Sequence, residues 1–304
     1  MKNKRLIGIC FALISASFWG IGGTVAQYLF QQKQIDVNWF VTVRLLVGGL
    51  LLVGSQLLIG KNIFGIWQQK YTAVRLIIFS IVGMLLVQYS YMISIALGNA
   101  AMATLLQYLA PVFIIVYYIL VGQQRFTKFD ALLICLTVGG TFLLLTNGQI
   151  DSLSVPLSAM IWGIISGLSL AFYTLYAKPL LASQPSILVV GWAMLVAGVL
   201  FNFVAPFWQV GEASIFDTST YAALTFTILC GTALAFWLFV ASLNYISPKE
   251  TSIFGTLEPL TAVVSSIVWL SLPFGLWQFV GALCIMGMVL GLSFIPTQPK
   301  TAAS

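Results

Sequence analysis

Hydrophobic and polar positions fall in long blocks along this chain. Uncharged, apolar stretches of about twenty residues alternate with short segments that hold nearly all the charge. A bilayer core about 30 Å thick takes about 20 apolar residues per crossing helix. Read on that scale, the blocks predict spans near 6–29, 37–59, 75–97, 100–121, 129–147, 156–177, 186–207, 220–243, 250–271 and 275–295. Some uncharged runs exceed one crossing, and turn chemistry divides them: 76–124 at Gly98-Asn99-Ala100, and 259–299 at Leu272-Pro273-Phe274-Gly275. Such short connections make sequential helices antiparallel neighbours. The expected fold class is an all-α membrane protein of ten helices.

The second half of the pattern repeats the first. Leu105-Leu106-Gln107-Tyr108-Leu109-Ala110-Pro111 is answered 148 residues later by Ile253-Phe254-Gly255-Thr256-Leu257-Glu258-Pro259, and at the same offset Gly83 meets Gly231 and Gly139 meets Gly287. This divides the chain into two five-helix units, 1–150 and 151–304, sharing one bundle. Five crossings is an odd number, so the second unit is inverted relative to the first. Inverted repeats place a substrate site near the bilayer midplane, between two related gates, around a central cavity. A transporter is the function this implies.

Charge sharpens the picture. Only 7% of residues are charged and 60% are hydrophobic, with a mean hydropathy of +1.04, far from the roughly 25% charged residues of soluble domains. The net charge of +6 implies no nucleic acid, because the cations sit in short interhelical segments. With the N-terminus inside, eleven of the 13 Lys and Arg face the cytoplasm, Lys33 faces out and Arg44 lies within a helix. By the positive-inside rule both termini are cytoplasmic in the cell (plasma) membrane. Lys2, Lys4 and Arg5 before an apolar run resemble a signal peptide, but residues 6–32 carry no charge, too long for an h-region of 7–15 residues. The segment reads as an uncleaved first span. Cys10, Cys135, Cys230 and Cys284 lie in apolar stretches with no metal or disulfide spacing and read as buried small hydrophobes. Histidine is absent, which removes His-based metal sites and proton relays. No metal or cofactor is expected, and no enzyme: paired catalytic groups at one depth are missing.

A charge at the bilayer centre costs about 2.5–3.5 kcal/mol on insertion scales, so Glu258 and Arg44 stand out. Glu258 follows Glu250 by eight residues, about 12 Å deeper at 1.5 Å per residue. Thr251, Gly255, Glu258, Ala262 and Ser265 share a helix face. Pro259 removes a backbone donor beside the carboxylate, and Pro111 is its repeat counterpart. Glu258 suits binding of a substrate ammonium or carriage of a coupling proton, the alternative being a buried structural ion pair or a hydrogen-bonded neutral acid. Arg44, always protonated, needs an anion or water: it could grip a substrate carboxylate or pair with Glu258, and structure or gating is favoured over substrate contact, with Trp192 at its repeat position. Gln88, Tyr91, Gln107, Tyr108, Trp19, Tyr173 and Trp237 are candidate cavity walls that shape the pocket. Loop acids such as Asp36, Asp130, Asp151, Glu212, Asp217 and Glu250 read as solvated charge.

Ser17-Phe18-Trp19-Gly20, Arg44, Leu109-Ala110-Pro111, Leu257-Glu258-Pro259 and the glycine-rich fifth and tenth spans resemble the EamA-type transporters of the drug/metabolite transporter superfamily. The resemblance covers nearly all of the chain. It implies ten helices with a cavity walled by helices 1, 3, 4, 6, 8 and 9. It also implies movement of a small metabolite, an amino acid or related compound, outward by alternating access. A departure is that the family's glutamate before the last helix of each unit is replaced by Gln124 and Phe274. The expected partners are a small-molecule substrate, a coupling proton and membrane lipid, with a monomer sufficing. Import of a small amine, sugar or other nutrient is the nearest rival, and a non-transporting membrane receptor the next.

Overall fold

The computed structural model describes residues 2–123, 125–149 and 153–293. Gln124, Asp151 and Lys300 lie outside the described residues, as do the side chains of Lys2 and Lys249. The described residues are helical and form no strand. Eight helices are long and apolar enough to cross a membrane, and two shorter apolar helices, Ser186–Phe201 and Leu276–Gly291, accompany them. Their outer faces cannot meet water without large cost. Val138 and Leu283 are 64% and 65% exposed in the middle of apolar helices, and Val268 is 77% exposed near the end of another; exposed apolar belts of this kind mark contact with lipid. The protein is a multi-pass membrane protein.

In chain order the elements are α1 (Lys2–Gln31), α2 (Val37–Leu58), α3 (Lys70–Leu97), α4 (Ala100–Gln107 and Ala110–Leu120) and α5 (Lys128–Thr146). They continue with α6 (Leu157–Ser183), α7 (Ser186–Phe201), α8 (Thr218–Ser242), α9 (Pro248–Gly255 and Leu257–Leu270) and α10 (Leu276–Ser293). The turn at Gly98-Asn99 falls where the sequence divides, because Asn99 caps Met102 N–H at 2.8 Å. Helices from the two halves interleave. α1 packs against α8 and α9, α6 against α3 and α4, α2 against α7, and α5 against α10.

Four helices depart from the regular rods that periodicity predicts. In α3 the segment Phe79–Leu85 is a π-helix, and in α8 so is Phe226–Leu234. α4 breaks at Tyr108-Leu109, and α9 breaks at Thr256. Each pair of irregularities is separated by the offset of the sequence repeat. Pro111 and Pro259 lie in the first turn of their second halves, where a missing N–H is tolerated. α7 also ends earlier than the apolar run, at Phe201, where Asn202 Oδ1 accepts Phe207 N–H at 2.9 Å.

The loop acids do more than meet solvent. Asp36, Asp130, Asp217 and Glu250 each hold a helix N-terminus, Asp130 and Glu250 through capping boxes with Thr127 and Ser247. Among the described residues the salt bridges are Arg5–Glu250 at 2.8 Å and Lys33–Asp217 at 2.5 Å. They join opposite ends of α1 to the starts of α9 and α8. Ser247 N–H and Arg5 hold the Glu250 carboxyl at about 2, below its ordinary 4.5. A depressed acid stabilises the fold above its ordinary value and loses that contribution as pH falls toward the folded value. Unfolding temperature is therefore expected to drop between about pH 5 and pH 2 in the native protein, and less steeply in Glu250→Gln. Thermal scans in detergent at stepped pH measure the difference. The cysteines correct their reading as buried: all are free, Cys10 and Cys135 are exposed, and Cys230 and Cys284 are half-buried. A small apolar thiol on such a face meets lipid rather than core.

Candidate functional site

The break in α4 and the break in α9 face each other. Tyr108 Oη lies 3.0 Å from Glu258 Oε2 and 3.1 Å from the Gly255 carbonyl oxygen. Gly255 is four residues before Pro259, so the carbonyl that Pro259 leaves without its helical donor is the one Tyr108 reaches. A tyrosine hydroxyl has one hydrogen, and here two acceptors share it. Tyr108→Phe orphans both. It is expected to cost about 1–3 kcal/mol, read as lowered thermal stability in detergent, whereas exposed Tyr117→Phe is expected to be silent.

α1 brings this contact close to a second one. A Cβ at Gly20 would collide with Thr261, with the Glu258 carbonyl, and at 2.8 Å with Ala262 N; one turn on, a Cβ at Gly23 would lie 2.8 Å from Tyr91 Oη. Small residues on α1 thus let α9 and Tyr91 approach its backbone. Tyr91 Oη bonds Thr104 Oγ1 at 2.7 Å, and Thr104 Oγ1 in turn donates to Ala100 O at 2.8 Å. Thr104 lies one turn before Tyr108 on α4. Further along α1, Thr24 Oγ1 meets Ser265 Oγ at 2.7 Å and Ser266 Oγ at 3.2 Å. The break at Thr256 therefore splits the polar face expected on the ninth span. Glu258 turns to Tyr108, Ser265 to Thr24, and Thr251 to Ser242 at 3.2 Å.

Arg44 enters from α2. Its Nε donates to Thr232 Oγ1 at 2.8 Å and Nη2 to the Gly231 carbonyl at 3.3 Å, while Nη1 lies 3.7 Å from Met92 Sδ. The π-helix of α8 explains the carbonyl. Ala235 N–H bonds Cys230 O, five residues back, instead of Gly231 four back, which leaves Gly231 O for Arg44. π-turns commonly mark functional sites. Arg44 and Glu258 form no salt bridge, yet they interact electrostatically, Tyr91 included. Trp192, at the repeat position of Arg44, serves elsewhere, donating from Nε1 to Ile63 O at 2.8 Å.

The other predicted residues are placed as follows. Gln107 Nε2 donates to Ser166 Oγ at 2.8 Å, tying α4 to α6. Gln88 is 9% exposed, one turn before Met92 on α3. Tyr173 packs on Phe79 in the π-segment of α3, with ring centroids 4.6 Å apart. Trp19 packs on Phe236 and Phe239 at 5.1 and 5.3 Å. Trp237 does not join them. It is 43% exposed and touches Phe11 at 6.1 Å. The preceding π-turn adds a residue, and at about 100° per residue this turns Phe236 and Phe239 onto Trp19, while Trp237 meets α1 only at Phe11, on a more exposed side. Sequence reasoning also misses Thr232, Gly231, Met92 and Gln27, whose Oε1 accepts Ala100 N–H at 2.9 Å and fixes the start of α4. Two open grooves, of about 640 Å³ beside Arg5 and Glu250 and about 420 Å³ beside Asn99 and Asn147, lie apart from these residues.

The sequence profile of the EamA-like transporter family matches residues 6–146 and 157–294. The chain belongs to the EamA-like transporter family. It is 34% identical, over 97% of its length and 98% of the other protein's, to the uncharacterized inner membrane transporter YicL of Salmonella typhimurium. The uncharacterized transporter YwfM of Bacillus subtilis is 24% identical over 96% and 95% of the two chains. A crystal structure with 14% sequence identity superposes on 96% of both chains with a TM-score of 0.63, which speaks to the fold alone. The EamA match and these relatives make this protein a membrane transporter.

Proposed function

We propose that this EamA-family protein moves a small metabolite, an amino acid or related compound, out of the cell across the plasma membrane by alternating access. Its two five-helix units form an inverted pair sharing one bundle, and a single chain suffices. The observation that carries this reading is the Tyr108–Glu258 contact. It joins the broken helices of the two halves at points related by the sequence repeat, and it sets the deep carboxylate of Glu258 beside backbone loosened by Pro259. Pro111 and Pro259 are the flexing points. Glu258 receives a cationic group of the substrate, or a coupling proton in its place, while Tyr108, Tyr91, Gln107, Gln88, Trp19 and Tyr173 shape the pocket.

Gating follows from the ion pairs. Arg5–Glu250 and Lys33–Asp217 each bridge the two halves, one at either end of α1. In this reading they open in alternation, with both termini in the cytoplasm. Around Lys33 the end is tied further by Ile215 N–H to Lys33 O at 2.9 Å and Trp39 Nε1 to Phe207 O at 2.7 Å.

The test is a thermal-shift screen of detergent-purified protein against amino acids, amines, sugars and nucleosides, run in parallel on Glu258→Gln. A ligand bound only by the native state stabilises it by RT ln(1 + [L]/Kd). A cationic ligand whose stabilisation disappears in Glu258→Gln is the expected result. Stabilisation by sugars or nucleosides alone, unchanged by the substitution, contradicts the assignment of Glu258.

A further inference from the structure

The sequence favours structure or gating for Arg44 over a grip on a substrate carboxylate, yet its surroundings are those of a binding group. All of its hydrogen-bond partners among the described residues are neutral: a threonine hydroxyl, a glycine carbonyl and a thioether. No carboxylate among those residues lies within salt-bridge distance. A guanidinium offers five N–H donors, and the thioether is a weak acceptor, so the Nη1 edge is left without a strong one. Gln88, nine-tenths buried, makes no hydrogen bond among the described residues and sits one turn from that thioether. A permanently charged group at this depth needs an anion or water.

The nearest deep anion is Glu258, and it is engaged elsewhere. From Arg44 the path runs through Met92 and Tyr91 on α3, then Thr104 and Tyr108 on α4, to Glu258 on α9. The two opposite charges thus flank one stretch of wall without meeting. A purely structural pair would close to a direct contact, which is worth more in a low dielectric than two separate charges. Charges held apart on one site fit a ligand that carries both complements.

We propose that Arg44 is a specificity-determining residue whose Nη1 edge, with the Gln88 amide, receives a substrate carboxylate, while Glu258 receives the ammonium of the same molecule. This rests on the reading of Glu258 as a recognition residue and narrows it. Simple amines, amides and esters would each lack half of the contacts.

The test uses the full-length protein in detergent and compounds that differ only in charged groups: phenylalanine, phenylalaninamide, phenethylamine and 3-phenylpropionate, with the matching leucine set. Dissociation constants come from thermal shift and calorimetry. The zwitterion is expected to bind about tenfold or more tightly than its amide, amine or acid, the size of one charge-assisted hydrogen bond. Arg44→Gln is expected to erase the preference for zwitterion over amide while leaving amine binding in place. Arg44→Lys, which keeps the charge but loses the fork, should retain part of it. Equal affinity for zwitterion and amide in the native protein overturns the proposal whatever the variants do. So does an undiminished preference in Arg44→Gln. If amines bind in a Glu258-dependent way with no role for Arg44, the proposal fails and the broader reading stands. If neither charged residue affects binding of any compound, both fail.

Discussion

Replacing Gly20 by alanine is expected to destabilise the protein by about 1–3 kcal/mol, the usual cost of forcing a methyl group into a full interface, and Gly20→Leu is expected not to yield folded protein. The Cβ would run into the Glu258 carbonyl and the Ala262 amide nitrogen. Both are backbone atoms, so no side-chain rotation relieves the clash and α1 must move off α9. In lipid, helix association depends on such close packing because no hydrophobic force favours one apolar partner over another. The same crossing holds Glu258 and brings Tyr91 to Gly23, so the damage reaches the site. Gly54 and Gly139 are the controls. Both are helical with nothing within 4 Å of an added Cβ. Alanine there is expected to be neutral or to stabilise by up to about 1 kcal/mol through helix propensity. Thermal unfolding in one detergent compares all four variants.

Glu258→Gln is expected to weaken binding of a cationic or zwitterionic substrate by about thirtyfold or more. Truncating one partner of a buried, hydrogen-bonded charge pair costs about 2–5 kcal/mol, and each 1.4 kcal/mol is a factor of ten. The glutamine keeps an oxygen for Tyr108, so the fold is expected to survive. Calorimetric titration of both proteins with the ligand found by thermal shift gives the ratio. An unchanged affinity would place Glu258 outside recognition and leave it a coupling or structural role.

Much of the fold is legible in the sequence because the bilayer enforces it. Charges such as Lys33, Lys70 and Lys128 stay out of the helices' apolar stretches, and Asn99 stops one helix and caps the next. The 148-residue repeat anticipates that Pro111 and Pro259 sit at equivalent breaks. It pairs Gly83 with Gly231, each within a π-helix. The contact between Tyr108 and Glu258 is not legible in this way: the sequence marks both as polar residues that lipid would reject, but the partner it offers Glu258 is Arg44. Arithmetic on helix faces fails at the irregularities themselves. A π-turn changes the phase of all that follows, so Phe236 and Phe239 meet Trp19 where the sequence offers Trp237, and Thr232 and Gly231 are overlooked as partners of Arg44. The same holds for α9, where one expected polar face becomes three separate contacts. Solvated charge is too plain a reading of the loop acids, since Thr127 with Asp130 and Ser247 with Glu250 carry the spacing of a capping box.

Carriage of a small solute across the membrane through a site containing Glu258 is tested most directly by counterflow in proteoliposomes. Vesicles loaded with a high concentration of unlabelled phenylalanine or leucine are diluted into a trace of the same labelled compound. Transient accumulation of label is expected inside vesicles holding the native protein, and none in those with folded Glu258→Gln or in protein-free vesicles. A compound that stabilises the purified protein yet shows no counterflow would contradict carriage and leave a protein that binds without transporting.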